Sequence, residues 1–114
     1  MSFEPLEYVR HMLAEADYLT RESQGLSRAR FLADPTLRRA FVRSLEVIGE
    51  AAKKVPEDLC DRYPAVEWRR VARMRDRLIH GYFGVDYGLI WEVVTERVPT
   101  MKRELERVLE AEAS

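Results

Sequence analysis

Apolar residues recur at intervals of three and four along almost the whole chain, and strict alternation never persists. That period is the buried stripe of an α-helix; the period of two that a half-buried strand needs is missing. Prolines, glycines and one aspartate divide the pattern. Leu6, Val9, Leu13 and Ala16 form a first stripe, opened by Pro5 and running to about Arg21. Glu22 to Gly25 breaks it, and Ser27 to Ala33 reads as a short helical turn carrying Phe31 and Leu32 inward. Asp34-Pro35 starts a second long helix, with Asp as N-cap and Pro at the first helical position. This helix runs to about Val55, with Leu37, Phe41, Leu45, Ile48 and Ala52 inside. Gly49 within it costs about 1 kcal/mol relative to alanine, which a close helix approach would explain. Pro56 stops it. Glu57 to Tyr63 is a connector anchored by Leu59 and Tyr63, and Pro64 opens a third helix. After a break at 81–88, Asp86 caps a last helix to about Glu110, which Pro99 should kink or divide. The pattern predicts an all-α, antiparallel bundle of four to five helices in a single domain, residues 1–114.

Composition sets further bounds. At 34% charged and 46% hydrophobic residues, the 114-residue chain is globular rather than disordered. Glu4 and Glu7 interrupt the N-terminus, nothing there resembles a signal peptide, and no run nears the ~18 apolar residues of a membrane span. A cytoplasmic location is expected. The single Cys60 excludes an internal disulfide and a cysteine metal cluster, and acidic neighbours leave it no obvious base. No metal-ligand spacing, nucleophile elbow or phosphate-binding glycine loop occurs, so no metal or cofactor is expected. The net charge of −1 argues against a general nucleic-acid coating protein. Charge is uneven, however: residues 69–77 hold five arginines and one aspartate. Such a patch is either a solvated helix face or a seat for a short stretch of phosphates, with Arg73 and Arg77 the candidate phosphate ligands.

The stretch from Trp68 to Gly84 concentrates the chemistry. Read as a helix, Trp68, Val71, Ala72, Leu78 and Ile79 make one stripe, and Arg75 falls within it. A guanidinium there is costly unless it is paired, as with Glu50, or faces a shared cleft. Arg69, Arg73 and Arg77 lie four apart on another face. His80 follows Arg75 by five residues, about 140° round a regular helix, so the two converge only if the helix ends near Gly81 or if they meet across a two-fold axis. A histidine there is equally at home as a helix C-terminal cation, and Tyr82 as a packed aromatic. His11, the other histidine, reads as a surface or rim residue.

With Met74-Arg-Asp-Arg-Leu-Ile-His-Gly-Tyr-Phe83, then Val85-Asp86 and Trp91, the chain resembles the HepT-like members of the HEPN group. Ile48-Gly-Glu-Ala-Ala52 and Tyr63-Pro-Ala-Val-Glu-Trp68 extend the resemblance over most of the chain. It implies a HEPN-like bundle that dimerises through the motif helix, and the toxin half of a prokaryotic toxin–antitoxin pair. The implied activity is that of a metal-independent RNA endonuclease. Arg75 and His80 match the family's catalytic pair, meeting at the dimer interface, and Asp76 matches its supporting polar position. Tyr82 matches the tyrosine to which a minimal nucleotidyltransferase antitoxin transfers AMP. The chemistry is coherent, because RNA carries its own nucleophile, histidine exchanges protons near neutral pH, and arginine grips phosphate as a fork. The alternative is a non-catalytic helical binding subunit of a nucleotidyltransferase.

Overall fold

A computed structural model describes residues 3–80 and 84–113. The helices are α1 (Pro5–Ser23), α2 (Arg28–Ala33), α3 (Pro35–Lys54), α4 (Glu57–Arg62), α5 (Trp68–Leu78), α6 (Tyr87–Glu92) and α7 (Val98–Ala113). A π-helical turn, Val93–Arg97, joins the last two. The all-α expectation holds: the described residues contain no strand, only one isolated antiparallel bridge.

The caps follow from the sequence. Ser27 accepts a hydrogen bond from the Arg30 amide, Asp34 from the amides of Thr36 and Leu37, and Asp86 from that of Leu89. Each satisfies amides that the first helical turn would leave orphaned. The third helix departs from expectation. It begins at Trp68 rather than at Pro64, and its N-cap residue is Glu67. The Trp68 indole N–H donates to the Tyr63 carbonyl at 3.0 Å, which locks the intervening turn. It also ends earlier, at Leu78, so Ile79 and His80 lie beyond the helix. Pro99 acts on the turn before it. Its ring cannot donate and crowds the carbonyl four residues back, that of Thr95, which lies inside the wider π turn.

The core is made by α1, α3 and the last helical run. Along α1 the buried residues are Val9, Met12, Ala16 and Leu19, so the stripe includes Met12 and Leu19 and leaves Leu6 and Leu13 half-buried. Phe31 of α2 stands between Phe41 of α3 and Trp91 of α6, with ring centroids 4.9 and 5.3 Å away. This aromatic stack fixes α6 against α3. A Cβ built on Gly49 would lie 3.6 Å from the carbonyl oxygens of Val71 and Ala72. Helices α3 and α5 thus approach closely. Gly49 faces Ala72 and Glu46 reaches Arg75, so the two helices run antiparallel.

Beyond α5 the chain is fastened back on itself. Ile79 bridges Val85, the His80 amide donates to the Gly84 carbonyl at 2.6 Å, and the Asp86 amide to the Leu78 carbonyl at 3.0 Å. At the far end, Tyr63 and Arg62 both donate to the Glu112 carboxylate, tying α4 to α7. The Tyr63 hydroxyl, and then the Arg62 guanidinium, hold the Glu112 carboxyl below the usual carboxylate range.

Two outcomes are expected. A Cβ at Gly84 would fall 2.8 Å from the His80 carbonyl oxygen, so Gly84→Ala must open the clasp. Losing that hydrogen bond, worth about 1 kcal/mol, should speed exchange of the His80 amide by roughly five- to tenfold while the helices persist, as read by NMR hydrogen exchange. For Glu112, a depressed carboxyl contributes fully above its usual value near 4.5 and loses that contribution as pH falls through the lower folded value. Glu112→Ala should therefore melt below the parent protein at pH ~7, and the gap should close in acid.

Candidate active site

Arg75 lies in the last turn of α5, and its carbonyl accepts the final helical bond from the Ile79 amide at 2.9 Å. The helix gives it two carboxylates. Its Nε stands 3.8 Å from Oε2 of Glu46 on α3, and its Nη1 3.5 Å from Oδ1 of Asp76. Glu46, not Glu50, is the partner across the helix pair; Glu50 pairs with Lys53 one turn along its own helix. Antiparallel packing accounts for this. With Gly49 opposite Ala72, the residue three earlier on α3 meets the residue three later on α5. The glycine was visible in the sequence, but the direction of the pair was needed to choose between the two glutamates.

Arg75 is not buried as its place in the apolar stripe suggested. Its side chain is 41% exposed, and Val71 and Ala72 are only partly covered. Both ion pairs are longer than a good hydrogen bond, so Glu46 and Asp76 orient the guanidinium while leaving its donors open to an anion. Asp76 is itself exposed.

His80 is exposed, the first residue after the extended Ile79 at the bridge position. The helical angle of 140° therefore does not apply. The helix ends two residues before it, and the clasp through Gly84 sets its backbone instead. Tyr82, with Gly81 and Phe83, lies outside the described residues. Arg73 and Arg77 are exposed on the outer side of α5. Arg77 also borders a groove of about 310 Å³ between α5 and α7, with Met74 and Leu78 on one wall and Val98 and Met101 on the other.

The remaining candidates stay structural. His11 packs edge-on against Phe3, ring centroids 4.9 Å apart, away from α5. The Cys60 thiol lies 3.7 Å from the Val55 carbonyl oxygen. Burial, and then Asp61, push its pKa up, which disfavours the thiolate a nucleophile requires.

Residues 12–108 match the family model described as ribonuclease HepT-like. A protein of Caldanaerobacter subterraneus subsp. tengcongensis, named "putative RNase", is 43% identical over 108 residues, covering 95% of this chain and 96% of its own. A protein of Thermococcus cleftensis, named "probable ribonuclease HepT", is 46% identical over 78 residues, covering 68% of this chain and 71% of its own. No solved structure matches the chain significantly. A match over this much of the sequence, spanning both α3 and the Arg75–His80 segment, places the chain in the HepT-like ribonuclease family.

Proposed function

We propose that this chain, acting as one helical domain in the cytoplasm, is the toxin of a toxin–antitoxin pair and a metal-independent endoribonuclease centred on Arg75 and His80. The observation that carries the reading is a half-exposed arginine, oriented by two loose carboxylate pairs, followed two residues beyond the helix end by an exposed, backbone-clasped histidine. Arg75 grips the scissile phosphate and stabilises the charge that builds on its oxygens. His80 takes the proton from the RNA 2′-hydroxyl, whose oxygen attacks the adjacent phosphorus. The bond to the 5′-oxygen breaks, a proton reaches that leaving oxygen, and the products are a 2′,3′-cyclic phosphate and a 5′-hydroxyl. Asp76 supports Arg75, and Arg73 and Arg77 hold neighbouring phosphates.

A homodimer gives two histidines to serve as base and acid. The apolar groove beside Met74 and Leu78 supports this reading, since it offers surface for a second copy next to the motif helix. Silencing follows from AMP transfer. The Tyr82 phenol oxygen attacks the α-phosphorus of ATP on a nucleotidyltransferase antitoxin, and pyrophosphate leaves. The attached phosphate then competes for Arg75, two residues of chain from His80.

With chelator present, the unmodified protein should cleave RNA and leave cyclic-phosphate ends. His80→Ala should lower the rate by roughly 10²–10⁴-fold and Arg75→Ala by about 10²–10³-fold. Chelator-sensitive cleavage or 3′-hydroxyl ends would contradict the mechanism. No cleavage of mixed cellular RNA by the parent would favour the binding-subunit alternative. Incubation with ATP and the nucleotidyltransferase should add AMP, detected by mass, and abolish cleavage, whereas Tyr82→Phe should take up no label and stay active.

A further inference from the structure

The arginines between residues 28 and 43 form a second basic cluster, apart from that of α5. Elsewhere some arginines meet a carboxylate within one turn, as Arg10 with Glu7, Arg21 with Asp17, Arg70 with Glu67 and Arg107 with Glu104, while Arg73, Arg77 and Arg103 make no ion pair among the described residues. Between residues 28 and 43 there are five arginines and one acid. That acid, Asp34, is occupied in capping α3. None of Arg28, Arg30, Arg38, Arg39 and Arg43 makes an ion pair among the described residues. Arg39 and Arg43 are exposed and four apart, a like-charge pair that works against the helix unless an anion neutralises it. On a chain of net charge −1 this is a concentrated local excess.

The excess lies on the route to the candidate site. Arg39, Arg43 and Glu46 succeed one another at i, i+4 and i+7, along one face of α3. Glu46 is the residue that holds Arg75. At 1.5 Å per residue, Arg39 stands about 10 Å from Glu46 along the axis, the length of roughly three stacked nucleotides. Arg38, on the neighbouring face, is anchored over the Tyr87 ring at 4.8 Å, beside the start of α6.

We propose that Arg39 and Arg43, flanked by Arg38, form a phosphate-binding track that holds single-stranded RNA to one side of Arg75 and His80. The inference rests on the ribonuclease reading and adds to it the substrate class and the path. Arginine suits the task because its rigid fork matches phosphate, and the track ends at the residue that orients the proposed catalytic arginine. A track of this kind binds backbone and not sequence, so it raises affinity for single strands of any composition that reach past the scissile bond.

The test measures binding of a fluorescent mixed-sequence RNA of about twelve nucleotides by anisotropy, over a range of salt. It uses the full chain carrying His80→Ala to prevent cleavage. In that background R39Q/R43Q is compared with R103Q/R107Q, which removes the same charge from α7. Glutamine has nearly the helix propensity of arginine, and melting curves establish that both variants fold. R39Q/R43Q should weaken binding by at least about tenfold at ~0.1 M salt and flatten the log–log salt slope by about 1.4, roughly 0.7 per lost phosphate contact. R103Q/R107Q should change neither. Equal losses in both variants, or an unchanged slope in R39Q/R43Q, would overturn the track while leaving the ribonuclease reading intact. No RNA binding by the His80→Ala parent would count against both. Unchanged RNA binding with lost modification by the nucleotidyltransferase would assign the face to that protein instead.

Discussion

The close antiparallel contact of α3 and α5 at Gly49 is the constraint on which the site depends. Without a side chain at that position, the backbone of α5 settles against α3, and Glu46 and Arg75 come opposite each other. An arginine in an otherwise apolar stripe is then tolerable, since it emerges at the edge of the contact with a carboxylate waiting and water on its other side.

Much of the scaffold was legible from local chemistry. Asp34 and Asp86 act as caps because a short polar side chain next to orphaned amides has one favourable use. The period of three and four placed Phe41, Leu45 and Ile48 inside, and all three are buried. Local rules failed where tertiary contacts compete with them. Pro64 is an acceptable helix opener, yet the Trp68 indole bond to Tyr63 favours a turn there and delays the helix. Leu78 and Ile79 continue a helical stripe in sequence, yet pairing with Val85 draws Ile79 into an extended conformation. Pro99 announced a disturbance, but not that its cost would be spread over the preceding π turn.

The candidate site was legible as residue types and a family pattern, not as geometry. Arg75 and His80 were singled out by the motif, but their relation depended on where the helix ends, which the sequence left open and which lies at Leu78, before His80. Glu46 went unnoticed, since a glutamate on a charged helix face has no distinguishing mark until its opposite helix is known. The arginines of α3 were invisible for a similar reason: their alignment with Glu46 has no meaning until Glu46 is known to face Arg75.

The clasp at Ile79–Val85 has a consequence for how such a site can be silenced. Both ends of the segment holding Tyr82 are fastened by backbone bonds, and Tyr82 is two residues from His80, at most about 7 Å of chain. If His80 is catalytic as proposed, a group attached there would act at an effective concentration set by the tether rather than by the cell. Under the proposed modification, dilution and turnover of the antitoxin would leave the block in place. Inhibition would then be a memory written into the chain, erased only by chemistry and not by dissociation.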